Sequence, residues 1–198
     1  MRELLRQARA FFITRWQKLH AILTGPPADA AAYLDELFTY FPFSAVARRW
    51  LREHVQVEVR DMVSTQGGGL FFPGQNRVQL DTAQYEAAIH ELAHAWWHAR
   101  RGGQEDALIA AVVRAAGETD PRFARVADLA RGYVHGLPEQ GFPGFLCDRN
   151  DGEMFAGLAS GCMGDVRLLP SYLRHFLAEL FDLLPSDAPP PERIAWHR

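Results

Sequence analysis

The sequence predicts an α+β fold, with a small sheet placed directly before the helix that carries its densest cluster of chemically active residues. Three observations predict it. Apolar residues recur at three-to-four spacing through most of the chain. The period drops to two at His54, where Val55, Val57 and Val59 alternate with polar residues. Glycine- and proline-rich punctuation then separates short apolar runs from a long apolar helix.

Taken in order, residues 2–23 place Leu4, Leu5, Phe11, Phe12, Trp16, Leu19 and Leu23 on one side of an amphipathic helix, which ends at Gly25-Pro26-Pro27. Asp29–Tyr40 and Pro42–Glu53 read as two more helices, broken at Phe41-Pro42. The alternating run after His54 is a half-buried strand, and Gln66-Gly67-Gly68-Gly69 reads as a turn. That turn lacks the Gly-Lys-Ser/Thr of a phosphate-binding loop. Residues 70–72 and 77–80 form two short strands joined by Pro73-Gly74-Gln75-Asn76, giving a small antiparallel sheet. Asp81 or Thr82 caps a helix that runs to about Arg101 and stops at Gly102-Gly103. Residues 104–117 and 121–131 are further helices, followed by a glycine- and proline-rich loop over 133–145. A helix starts at Asn150 or Asp151 and runs to about Gly161, and a last one spans 166–184. The tail at 185–198 is proline-rich. The expected organisation is one domain over 1–185, with a helical part (1–53), a core (54–165) and a C-terminal helix (166–184).

Composition narrows the function. The 198 residues suffice for one domain with a real core. A net charge of −3 gives no electrostatic reason to expect nucleic-acid binding. Two cysteines, Cys147 and Cys162, make neither a disulfide framework nor a four-cysteine zinc module. No apolar run reaches the ~18 residues of a membrane span, and the first twenty residues lack the pattern of a signal peptide. A cytoplasmic protein is the expectation, and the sequence does not indicate its oligomeric state.

The chemistry gathers in AAIHELAHAWWHARRGG (87–103). On a helix, His90 and His94 lie about 40° apart in azimuth and ~6 Å apart along the axis. Their imidazole nitrogens can therefore meet one zinc ion at ~2.0–2.1 Å. Glu91 points beside them, where a carboxylate can take a proton from a water activated by zinc. The competing reading is an ordinary helix with surface histidines. Against it, Ala87, Ala88, Ile89, Leu92, Ala93, Ala95, Trp96 and Trp97 make this helix apolar nearly all round, hence buried. Buried histidine and glutamate need partners, and a metal is an efficient one.

A catalytic zinc site has three protein ligands and one open position. His98 is ~12 Å along the axis from His90 and is better read as a core histidine or one that supports the ligands from behind. Arg100 occupies the place where a third histidine follows the motif in metzincins. The best candidate is Glu153 in NDGEMFAGLASG (150–161), with Asp148, Asp151 and His135 as competitors. Asp61, Glu86 and Asp165 are candidate hydrogen-bond acceptors for the ligand histidines. The cysteines read as small buried hydrophobes.

HELAH followed downstream by a helix with Glu-x-Phe-Ala resembles the gluzincin metallopeptidases, closest to the compact catalytic domains similar to anthrax lethal factor. The matching residues are His90, Glu91 and His94, then Glu153, Phe155 and Ala156. The resemblance covers the order of elements over roughly 55–165, but identity only in these two motifs. It implies a zincin-like fold, zinc (Zn2+) at His90, His94 and Glu153, and Glu91 as general base for peptide hydrolysis. It also implies that the strand before the helix, with Val78, Gln79 and Leu80, pairs with an extended peptide substrate. The family's oxyanion-stabilising tyrosine falls here on Leu146, and Tyr133, or failing that His135, is the candidate replacement. A second resemblance, through HELAH and His98, is to the ImmA/IrrE-type regulatory peptidases. Their third-ligand segment is spaced differently. The alternative function is a zinc-binding domain without turnover that acts by binding a partner; a third is a non-peptidase hydrolase using the same metal chemistry.

Overall fold

In a computed structural model that describes residues 30–60, 69–81, 85–135 and 151–182, the chain combines helices with one three-stranded sheet. The predicted helix at 2–23, the loop at 136–145 and the proline-rich tail lie outside the described residues.

Helix α1 (Ala30–Tyr40) buries Tyr33, Leu34, Leu37 and Phe38, one stripe at helical spacing. Helix α2 (Ala45–His54) starts three residues later than expected. The reason is Ser44, whose Oγ accepts from the Ala47 N–H at 3.0 Å and makes a better cap than Pro42. Phe43 is instead extended and bridges to Phe181.

Strands β1 (Gln56–Arg60), β2 (Gly69–Phe72) and β3 (Arg77–Asp81) lie in the order β1-β3-β2. Strands β2 and β3 form the expected antiparallel hairpin, closed by a 3-10 turn at Pro73–Gln75 and a left-handed Asn76. Strand β1 departs from the prediction, because it runs parallel to β3. A parallel pair needs a crossover, and the chain passes through β2 on its way from β1 to β3. Gly69 belongs to β2, not to a turn. The register aligns Val57, Val78 and Phe71, and next Val59, Leu80 and Gly69, so these residues share one face. On the other face Glu58 accepts hydrogen bonds from Arg77 and Gln79.

Helix α3 (Tyr85–Arg100) packs on the apolar sheet face and buries Ala88, Ile89, Leu92, Ala93, Ala95, Trp96 and Trp97. It ends before Gly102 and Gly103, both at positive φ. Helix α4 (Glu105–Ala116) follows, then α5 (Ala124–His135). Helix α5 runs further than the predicted 121–131, because Tyr133 and Val134 continue the apolar stripe of Val126, Ala127 and Ala130. Tyr133 is therefore a helical residue, not part of the glycine-rich loop. Helix α6 (Asp151–Cys162) is buried on almost every side and packs most closely on α3.

The predicted helix at 166–184 is mostly absent. A 3-10 turn at Val166–Leu168 leads to α7 (Ser171–Leu177), and Phe181 then joins the bridge to Phe43. Pro170 is the cause: it forces Leu169 into extended backbone (φ −96°, ψ 147°) and cannot sit inside a helix. One hydrophobic cluster runs through α1, α3, α6 and α7 and includes the apolar face of the sheet. Among the described residues no helix is long and apolar enough to cross a membrane.

Candidate metal centre

His90 and His94 project from the same side of α3, one turn apart, with their Nε2 atoms 3.1 Å from each other. Helix α6 brings Glu153 to both of them. Its Oε2 lies 3.2 Å from His90 Nε2 and its Oε1 3.2 Å from His94 Nε2. The three side chains form a group able to hold a metal ion.

Protons do not account well for this arrangement. A neutral imidazole carries one N–H. If both Nε2–H groups point at the carboxylate, they face each other across the 3.1 Å contact. If one points at the other ring, its carboxylate contact loses its proton. A single cation bound by the lone pairs satisfies every contact at once. A tetrahedral zinc ion with N and O ligands at ~2.0–2.2 Å spaces neighbouring donors about 3.3–3.5 Å apart, close to the separations seen. The donor set, two imidazoles and a carboxylate, suits zinc chemically. Burial raises the Glu153 pKa, but hydrogen bonds from His90 and His94 outweigh it and hold the carboxyl at about 2. The third donor is therefore an anion at neutral pH.

Glu91 sits beside the triad, under strand β2. A Cβ added to Gly69 would overlap the Glu91 Cγ, so only glycine lets the strand pass this close. The Phe71 backbone hydrogen-bonds the carboxylate. Burial is the main reason the Glu91 pKa is pushed up to about 7, with His90 opposing and Glu153 reinforcing the rise. A carboxyl poised there exchanges protons readily at neutral pH. The Phe71 ring lies parallel to His94, with centroids 6.1 Å apart, and meets His98 edge-on at 5.9 Å. His98 thus packs on Phe71.

A search of family models, characterised proteins and solved structures finds no match to this chain.

Tyr133 reaches α6 at Gly157, one turn beyond Glu153 and on the same side of the helix. A Cβ at Gly157 would overlap the Tyr133 hydroxyl and ring, so the glycine is a notch that seats the tyrosine. Burial, then the charges of Glu153 and Glu86, push its pKa above the usual phenol value. It is a hydrogen-bond donor at any neutral pH.

Several expectations are corrected. Val78, Gln79 and Leu80 cannot pair with a substrate, because β3 is the central strand and is bonded on both edges. All three are buried. Among the described residues the edge strands are β1 and β2, and β2 is the one that passes Glu91. Asp151 is not a competing ligand: its Oδ2 accepts from Trp97 Nε1 at 2.5 Å. Asp165 does not serve the histidines either, since Arg167 takes both its oxygens. Glu86 lies one turn before His90, close enough for their charges to interact. Cys162 is fully buried, and burial pushes its thiol up to about 12. Asp61, Leu146, Cys147, Asp148 and the side chain of His135 lie outside the described residues. Gly69, Phe71, Gly157 and the Trp97–Asp151 pair went unread in the sequence. Gly157 carried a signal, since it interrupts a helix where glycine is locally unfavourable, whereas Gly69 opens β2 at the end of a glycine run that reads as a turn.

Proposed function

We propose that this chain is a zinc-dependent metallopeptidase with a zincin-like, gluzincin-type site. His90, His94 and Glu153 hold the ion, and Glu91 is the general base. The observation that carries the reading is the arrival of Glu153, from a separate helix, within 3.2 Å of both imidazoles of the HELAH motif. Zinc supplies a Lewis acid and lowers the pKa of a coordinated water to about 7.

The chain's own residues supply the rest. An extended peptide adds as a strand to the free edge of β2, through main-chain hydrogen bonds. That edge runs over Glu91, so the peptide backbone is brought to the triad. Glu91 takes a proton from water as the new C–O bond forms at the scissile carbonyl. It then gives that proton to the nitrogen as the C–N bond breaks. Tyr133, held protonated, donates to the oxygen that gains charge.

Two variants test this. Metal content is measured on wild type and on Glu153→Ala purified identically, and peptide hydrolysis on Glu91→Gln. The reading expects about one zinc per chain in wild type, lost in Glu153→Ala, and no hydrolysis with zinc retained in Glu91→Gln. Wild type that takes up no zinc on reconstitution sinks it. Zinc bound with no hydrolysis of any peptide would favour the non-catalytic, partner-binding alternative.

A further inference from the structure

We infer that Trp97 and Asp151 are positioning residues for the ligand helix. Together they fix the roll of α6 about its own axis, and so the place of the Glu153 carboxylate against His90 and His94. This rests on the metal reading above.

Asp151 opens α6 and accepts a hydrogen bond from the Trp97 indole N–H at 2.5 Å. Arg101 Nη1 lies 3.6 Å from the same oxygen, and Arg101 Nε is bridged to Glu105 at 3.2 Å. Phe155, one turn along α6, stacks on the Trp97 ring with centroids 4.6 Å apart and planes 20° from parallel. Asp151 and Phe155 lie about 40° apart around the helix, so one side chain grips one flank of α6 twice. Glu153 leaves the helix about 160° away from Asp151, on the opposite flank. Any roll of α6 therefore breaks either the hydrogen bond or the stack, and swings Glu153 off the histidines. Functional groups of this kind tolerate errors of only ~0.5 Å or ~10–20°.

Trp97 sits three residues after His94 on α3. One helix thus carries both imidazoles and the grip that orients the third donor. The competing explanation is that Asp151 is an ordinary acidic residue in a first helical turn, and that its bond to a buried indole only adds stability. The two explanations differ in what happens to the metal. A contact that only stabilises lowers the melting temperature and leaves the metal affinity of the folded protein alone.

The test uses the full chain. Trp97→Phe keeps a ring on Phe155 and loses the donor. Asp151→Ala loses the acceptor, whereas Asp151→Asn keeps an oxygen for Trp97. Zinc affinity is measured by competition with a chelator, the absorption spectrum with cobalt(II) in place of zinc, and the melting temperature without metal. Trp97→Phe and Asp151→Ala should bind zinc about 10–100-fold more weakly, with an altered cobalt spectrum, and Asp151→Asn should recover most of the affinity. A lowered melting temperature with unchanged affinity and spectrum overturns the inference. Should Trp97→Phe fail to fold, the contrast between Asp151→Ala and Asp151→Asn decides it alone. Wild type that binds neither zinc nor cobalt overturns the metal reading itself, and the inference with it.

Discussion

Burial beside β2 pushes the Glu91 carboxyl from an ordinary 4.5 to about 7, and the sign of that shift makes a stability prediction. A raised pKa means the metal-free fold prefers the protonated acid. The contribution to stability is present below 4.5 and is lost as pH rises through 7. Glu91→Gln removes the ionisation but keeps the shape. Without metal it should melt a few degrees above wild type at pH 8, a gap that closes towards pH 5. Equal melting at both pH values would mean that the carboxylate is not desolvated. Bound metal draws the same pKa down by its positive charge. The acid limb of peptide hydrolysis should then fall between 4.5 and 7, and a profile that falls above 7 assigns it to another group. Tyr133→Phe probes the other role at this scale. It should lower kcat by about 10²–10³-fold, the usual loss for one oxyanion donor, with zinc content unchanged. An unchanged kcat would move the oxyanion donor elsewhere.

Between elements, the contact of α5 with α6 depends on the notch at Gly157. Alanine ordinarily favours a helix interior over glycine by ~1 kcal/mol. Here the added methyl meets the Tyr133 ring, so Gly157→Ala should instead destabilise by about 1–3 kcal/mol, as overpacking does. In Tyr133→Ala the obstacle is gone. The double variant should therefore lose less than the sum of the two singles in denaturant titrations, and strict additivity would show that the ring is not seated there. The same scale explains what the sequence could reveal. The HELAH spacing is a local property of one helix, so the juxtaposition of His90 and His94 was legible from residue numbers alone. Glu153 was legible because it falls in the first turn of a recognisable helix. Sheet order was not, because whether β1 pairs with β2 or β3 depends on contacts remote in the chain. Arg77–Leu80 was thus mistaken for an edge. Pro170 was a local signal that an unbroken apolar stripe obscured, and Tyr133 was singled out but assigned to a loop because glycines follow it. The bond from Trp97 to Asp151 joins two helices and leaves no trace in spacing.

For the molecule as a whole, a metal held by the triad would also be a cross-link. Two donors come from α3 and one from α6, the pair of helices at the centre of the hydrophobic cluster. A ligand that binds only the folded chain stabilises it by about 2.7 kcal/mol when its free concentration is a hundred times Kd. For a chain of this size that raises the melting temperature by roughly 5–10 °C. Thermal melts should therefore show zinc raising, and a chelator lowering, the transition of wild type. Glu153→Ala should melt at one temperature with or without zinc. This comparison separates the metal from the proton explanation of the triad. If the Glu153 carboxylate were held only by protons on the two histidines, zinc would not move the wild-type transition. The stability held in the lowered Glu153 pKa would then be lost only as the pH falls from 4.5 towards about 2. With metal bound, acid protonates the ligands and expels the ion, so the zinc-loaded protein also loses stability as the pH falls.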